Sequence, residues 1–178
     1  QRQMCIRDSQ KFMKFCNSQL EHERSAYRFV SGNIVEITSE VEIKTINEAI
    51  NTPFDTINNH YSKALDLLSD RKTPDYPNSM KESIMGIEAT CKLIANNDRA
   101  DLHKALKVVE EKTHMHGALK NALDSLYGYS SDASNIRHAK IEYGEVNYNM
   151  AKFFLVMCTS FTNYLLSEVS AASNVKKE

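Results

Sequence analysis

Asn147-Tyr148-Asn149-Met150-Ala151-Lys152-Phe153-Phe154-Leu155-Val156-Met157-Cys158-Thr159-Ser160-Phe161-Thr162-Asn163-Tyr164-Leu165-Leu166 contains the longest apolar-rich run of the chain. Ala151, Phe154, Leu155, Cys158, Phe161, Thr162, Leu165 and, beyond it, Val169 recur at the three-and-four spacing of one helix face. The run 153–166 is too short to span a bilayer, and Thr159, Ser160, Thr162 and Asn163 interrupt it. It reads as the buried central helix of a bundle, so the expected fold is all-α.

The flanking patterns agree. Leu102, Ala105, Leu106 and Val109, then Leu119, Ala122, Leu123 and Leu126 after Gly117, repeat the same spacing and predict two shorter helices. Ile84, Ile87, Cys91, Leu93 and Ile94 mark another helix ending near Asn96. Before it, Pro74 and Pro77 predict a loop over 72–77. Ile57, Tyr61, Ala64, Leu65, Leu67 and Leu68 form the stripe of a helix whose start signal is Thr52-Pro53-Phe54-Asp55, with Pro at the first helical position. Ser39 followed by Glu42 is a capping box ahead of Ile43, Ile46, Ala49 and Ile50. Residues 27–37 read as two short strands around Gly32-Asn33, a small N-terminal β-hairpin, and 10–25 as the tail of a helix.

Residues 1–9 lack the periodicity of the next stretch and resemble a translated sequencing adaptor, so they are set apart as non-native. The expected organisation is then 10–38 as the tail of a truncated upstream domain, 39–171 as the bundle and 172–178 as a polar tail. A missing N-terminal domain of the same protein is an expected partner.

With 178 residues, 42% hydrophobic and 25% charged, the chain suits one main core. A formal net charge of -1 gives no bulk field toward nucleic acid or anionic membrane, so a polyanion site must be local. Cys5, Cys16, Cys91 and Cys158 are widely spaced and read as free thiols in a reducing compartment, which points to the cytoplasm. The first residues given show no Arg/Lys-led apolar stretch of the signal-segment kind, so none is expected there.

The candidate chemistry lies in 127–139, a polar stretch ending in Arg137-His138. A guanidinium can stabilise the added charge of a phosphorane, and an imidazole can move the proton of a 2′-hydroxyl or of the leaving oxygen, with no metal. Arg137 and His138 are the candidate catalytic pair. Ser130, Ser131 and Lys140 are candidate phosphate donors, Tyr129 and Tyr143 candidate base-stacking rings, and Asp132 a supporting partner for Arg137. The plainer alternative makes each structural: Arg137 pairs with Asp132 or Glu142, His138 caps a helix end, the serines enter a helix and the tyrosines plug the bundle. His103 and His114 stand some 16 Å apart by helical rise, and the His114-x-His116 pair lacks a third ligand at fitting spacing, so no metal or cofactor is expected.

Several strings carry a resemblance: Ala26-Tyr27-Arg28-Phe29-Val30 with Ile34-Val35-Glu36-Ile37-Thr38, Leu68-Ser69-Asp70-Arg71-Lys72, Lys81-Glu82-Ser83-Ile84, and Tyr127-Gly128-Tyr129 through Ile136-Arg137-His138-Ala139. Together, over residues 10–167, they resemble the C-terminal part of AbiJ-type abortive-infection proteins, phage-defence proteins of the HEPN superfamily of helical bundles. The resemblance implies a HEPN-like bundle, a homodimer, RNA as partner and metal-independent endoribonuclease chemistry. Arg137 matches the Arg of the HEPN motif and His138 its adjacent polar position. Glu142, Tyr143 and Gly144 stand where the motif's catalytic His belongs, so acid/base work would fall to His138 itself. The second reading is a non-catalytic dimerisation or sensing module whose Arg-His pair is structural.

Overall fold

The structure is a computed structural model that describes the backbone of residues 2–132 and 146–175 and the side chains of 8–129 and 146–171. Among the described residues, seven helices and one hairpin succeed one another: α1 (Arg2–His22), β1 (Arg28–Val30), β2 (Asn33–Val35), α2 (Glu40–Ile50), α3 (Asp55–Ser69), α4 (Tyr76–Ala95), α5 (Leu102–Thr113), α6 (Gly117–Asp132) and α7 (Tyr148–Val175). The all-α fold with a small N-terminal hairpin is therefore as expected. Residues 2–9 form the first turns of α1.

Helices α4 and α7 occupy the centre. Helix α4 lies against α3, α5 and α7, and α7 lies also against α2. The periodic residues of α3 (Ile57, Tyr61, Ala64, Leu65, Leu68), α5 (Leu102, Ala105, Leu106, Val109) and α7 (Ala151, Phe154, Leu155, Cys158, Leu165) are all buried. Val30, Val35 and Ile37 bring the hairpin into the same core.

Local signals set the helix ends. Ser39 Oγ accepts from Glu42 N at 3.4 Å, half of the capping box, while the Glu42 carboxylate pairs instead with Lys152 of α7 at 3.2 Å. Asp75 and Asp101 cap α4 and α5 by accepting from the third residue on, and Asn96 ends α4 in the left-handed region at φ 54°.

Four expectations need correction. The hairpin turn is Ser31-Gly32 rather than Gly32-Asn33, with φ 45° and 90° at its two central residues, as a two-residue loop requires. Ser31 tolerates this with its hydroxyl donating to Asn47 Oδ1 at 2.7 Å, and Asn33 is drawn off by Asp66 at 2.9 Å. Pro53 precedes α3, which starts at Asp55, because Asn58 folds back to accept from Thr52 N and Oγ1 at 2.9 and 2.7 Å. Pro77 lies in the first turn of α4, where a missing N–H leaves no partner unsatisfied. Finally, α7 is buried on one face only: Phe153, within the stretch expected to be buried, is 53% exposed.

The centre holds a polar seam. Tyr61 Oη donates to the Cys158 carbonyl at 3.0 Å and lies 2.6 Å from Thr162 Oγ1, which is 3.2 Å from Thr90 Oγ1. Burial, then the neighbouring Cys158, pushes the Tyr61 hydroxyl well above its ordinary pKa, so it stays protonated and able to donate. Burial likewise pushes the Cys91 thiol up to about 12, and both core cysteines are inert at neutral pH.

Gly86 makes room for this ring. A Cβ there would stand 2.5–2.9 Å from three atoms of the Tyr61 ring, which is wholly buried and cannot retreat. Overpacking costs about 1–3 kcal/mol or more, against about 1 kcal/mol that Ala gains over Gly in a helix. Gly86→Ala is therefore expected to lower the urea midpoint; an unchanged or higher midpoint would show that the ring gives way freely.

Candidate functional site

Helix α6 ends at Asp132 and α7 starts at Tyr148, so the residues expected to carry chemistry fall at and between these ends. Arg137, His138, Lys140 and Tyr143 lie outside the described residues. Ser130, Ser131 and Asp132 form the last turn of α6, and their side chains lie outside the described ones. Tyr129 is described.

Tyr129 stacks on Phe154 of α7, with centroids 5.9 Å apart and planes at 17°. Phe153 meets the same Phe154 ring edge-on at 5.6 Å and 88°. Phe154 is buried, whereas Tyr129 is 47% and Phe153 53% exposed, so two half-open rings flank a sealed one where α6 meets α7. Such a surface can take a nucleobase by stacking, and it also closes the bundle. Tyr148 is otherwise engaged: its hydroxyl donates to the Glu36 carbonyl at 2.8 Å and its ring packs edge-on to Tyr76. That joins the start of α7 to the segment after the hairpin.

Two of the three histidines weighed as zinc ligands have other partners. His103 Nδ1 lies 2.9 Å from Asp124 Oδ2, joining α5 to α6. His114 ends α5 in the left-handed region, and His116 Nδ1 accepts from Ala118 N at 3.1 Å. Among the described residues no three His, Cys, Asp or Glu side chains form a metal-holding group.

Sequence reading passed over a third cluster, because its two bases sit 22 and 19 residues from its carboxylate, on another helix. Glu82 of α4, almost buried, accepts from His60 Nδ1 at 2.8 Å and from Lys63 Nζ, both on α3. A carboxylate has no proton to give, so His60 carries its proton on Nδ1. Burial pushes the Glu82 carboxyl up, but the hydrogen bonds from Lys63 and His60 outweigh it and hold the carboxyl below its ordinary value. A depressed folded pKa contributes stability that is present above the unfolded value and is lost as pH falls through the folded one. Unfolding free energy should thus decline on acidification below the ordinary carboxylate range. Glu82→Gln should cost about 2 kcal/mol at pH 7 and flatten that decline, as denaturation across pH 3–7 would measure. Asp70 and Asp101 are shifted in the same direction, but both are open to water. An acid limb equally steep in Glu82→Gln would assign it elsewhere.

Residues 2–52 match the family model of AbiJ N-terminal domain 4. Over that segment the chain is similar to AbiJ-type proteins. The matched part holds α1, the hairpin and α2, and it is an N-terminal domain of the family, whereas the sequence reading placed the whole likeness in a C-terminal HEPN part. No curated protein and no solved structure matches the chain. Among the described residues, no helix is long and apolar enough to cross a membrane.

Proposed function

We propose that this chain is part of an AbiJ-type abortive-infection protein of the cytoplasm, in which an AbiJ N-terminal segment leads into a HEPN-like bundle that acts on RNA. The observation that carries the reading is the AbiJ N-terminal domain 4 match at residues 2–52, directly ahead of helices α3 to α7. The half-open rings of Tyr129 at the end of α6 and Phe153 in α7, both against Phe154, favour a nucleic-acid partner, since every base offers a face to stack. Arg137 and His138 come within ten residues of Tyr129 and supply a phosphate-binding cation and an acid/base. Ser130, Ser131, Lys140 and Tyr143 line the same stretch of sequence as RNA contacts, with Asp132 orienting Arg137.

Cells carrying the full protein should plate phage at lower efficiency than cells without it. Equal plating for every phage tried would remove the defence reading.

The reading includes a homodimer. Adjacent side chains on a helix point about 100° apart, so an Arg137-His138 pair carried on a helix would need a second copy of the chain to bring both groups to one phosphorus. Sedimentation at micromolar concentration should show a dimer. A strict monomer at the highest soluble concentration would remove the composite site.

A further inference from the structure

Away from the α6 and α7 ends, α1, the hairpin and α2 enclose an open cleft of about 1300 Å³. Arg28 of β1 lines it and is only 9% exposed. A guanidinium stays charged at all working pH and carries five N–H donors. Through Nη1 it donates to the Ser25 and Tyr27 carbonyls at 2.7 and 2.8 Å, and both acceptors are neutral. Among the described residues no carboxylate comes within ion-pair distance of it. Glu82, the buried carboxylate, is by contrast met by two bases. Among the described residues no buried side-chain nitrogen lacks both a partner and solvent, so each remaining Arg28 nitrogen keeps either a partner or some contact with water. A guanidinium so little exposed, bonded to neutral carbonyls and with no carboxylate beside it among the described residues, is a cation that an anion seated in the cleft would neutralise.

The rest of the lining narrows the anion. Lys14 and Lys44 also line the cleft, but so do Glu21, Glu40 and Glu48, leaving it near neutral and poorly suited to a long polyanion. Lys44 is shared with Glu48 at 3.7 Å. Met13, Phe29 and Ile43 supply apolar surface, and Gln10 supplies an amide able both to donate and to accept. Asn47 Oδ1 already accepts from Ser31 and Asn51 Nδ2 donates to the Asn47 carbonyl, which leaves Asn47 Nδ2 to donate and Asn51 Oδ1 to accept at the edge of a base. The geometry points to a binding site for a nucleotide-sized phosphate ester, its phosphate on Arg28 and its base against the apolar and amide lining. This site is independent of the RNA chemistry proposed for Arg137 and His138, and each of these lining residues falls in the segment matched to the AbiJ N-terminal domain.

Calorimetric titration of the whole chain with the four ribonucleoside 5′-monophosphates, their nucleosides and inorganic phosphate tests it. At least one monophosphate should bind saturably, its nucleoside at least about tenfold more weakly, and inorganic phosphate should compete. Arg28→Gln should weaken binding by about tenfold or more, as expected for loss of a charge-assisted bond. Because Arg28→Gln also releases two carbonyls, exposed Lys14→Glu provides a variant that leaves the fold intact, and it should weaken binding about fivefold. The proposal falls if no monophosphate binds at about 10 mM, well beyond the weakest specific sites. It falls equally if the nucleoside binds as well as the nucleotide, if folded Lys14→Glu binds like wild type, or if a single-stranded RNA oligomer binds the cleft far more tightly than any monomer.

Discussion

Phe154→Ala is expected to lower the unfolding free energy by about 3–5 kcal/mol, the usual cost of deleting a buried aromatic ring. Phe154 is 1% exposed and lies between the Tyr129 and Phe153 rings, with Ile84, Ile87, Leu102 and Leu106 lining the same small apolar gap. The gap is lined almost wholly by apolar atoms, which hold water poorly, so the space left by the ring is expected to stay empty. Phe153→Ala, one residue away, should cost under about 1 kcal/mol because half of its ring already meets solvent. Urea denaturation of the two variants checks the contrast. Equal losses would mean that α7 does not turn its Phe154 face to the core and its Phe153 face to water.

Arg137→Ala and His138→Ala are each expected to lower RNA cleavage by about a hundredfold or more, the effect of removing a charge stabiliser or an acid/base. If the site is shared between two copies, mixing the two inactive variants should restore activity. A mixed dimer then carries one site with both side chains intact and one with neither. Absence of any recovery, with mixed dimers present by mass, would place both side chains in one chain.

Legibility in the sequence varies with the kind of signal. The faces of α3, α5 and α7 come from apolar spacing, because Ile57 to Leu68 or Ala151 to Leu165 can be buried together only on a helix. Ser39 as a cap is legible for the same local reason. The positions of Pro53 and Pro77 are not, since either fits just outside or just inside a helix start and the choice rests on Asn58 and Asp75 bonding back. Spacing also could not show that Phe153 stays open, which depends on what packs beside α7. The pairing of His60 and Lys63 with Glu82 and, among the described residues, the absence of a carboxylate beside Arg28 are tertiary facts with no trace in local pattern. Of the expected site, Tyr129 alone has a described side chain, and its stacking on Phe154 arises from the meeting of two helices.

Whether the protein acts on RNA without a metal is decided by incubating the full protein with single-stranded RNA in excess EDTA and analysing the product ends. Attack by the 2′-hydroxyl on its own phosphorus forms the 2′-O–P bond as the 5′-O–P bond breaks, with a base taking the 2′ proton and an acid returning one to the leaving oxygen. The expected products carry 2′,3′-cyclic phosphate ends, in a yield undiminished by EDTA and lost in His138→Ala. Cleavage that needs a divalent metal, or that proceeds equally well in His138→Ala, would contradict a metal-independent role for the Arg-His pair.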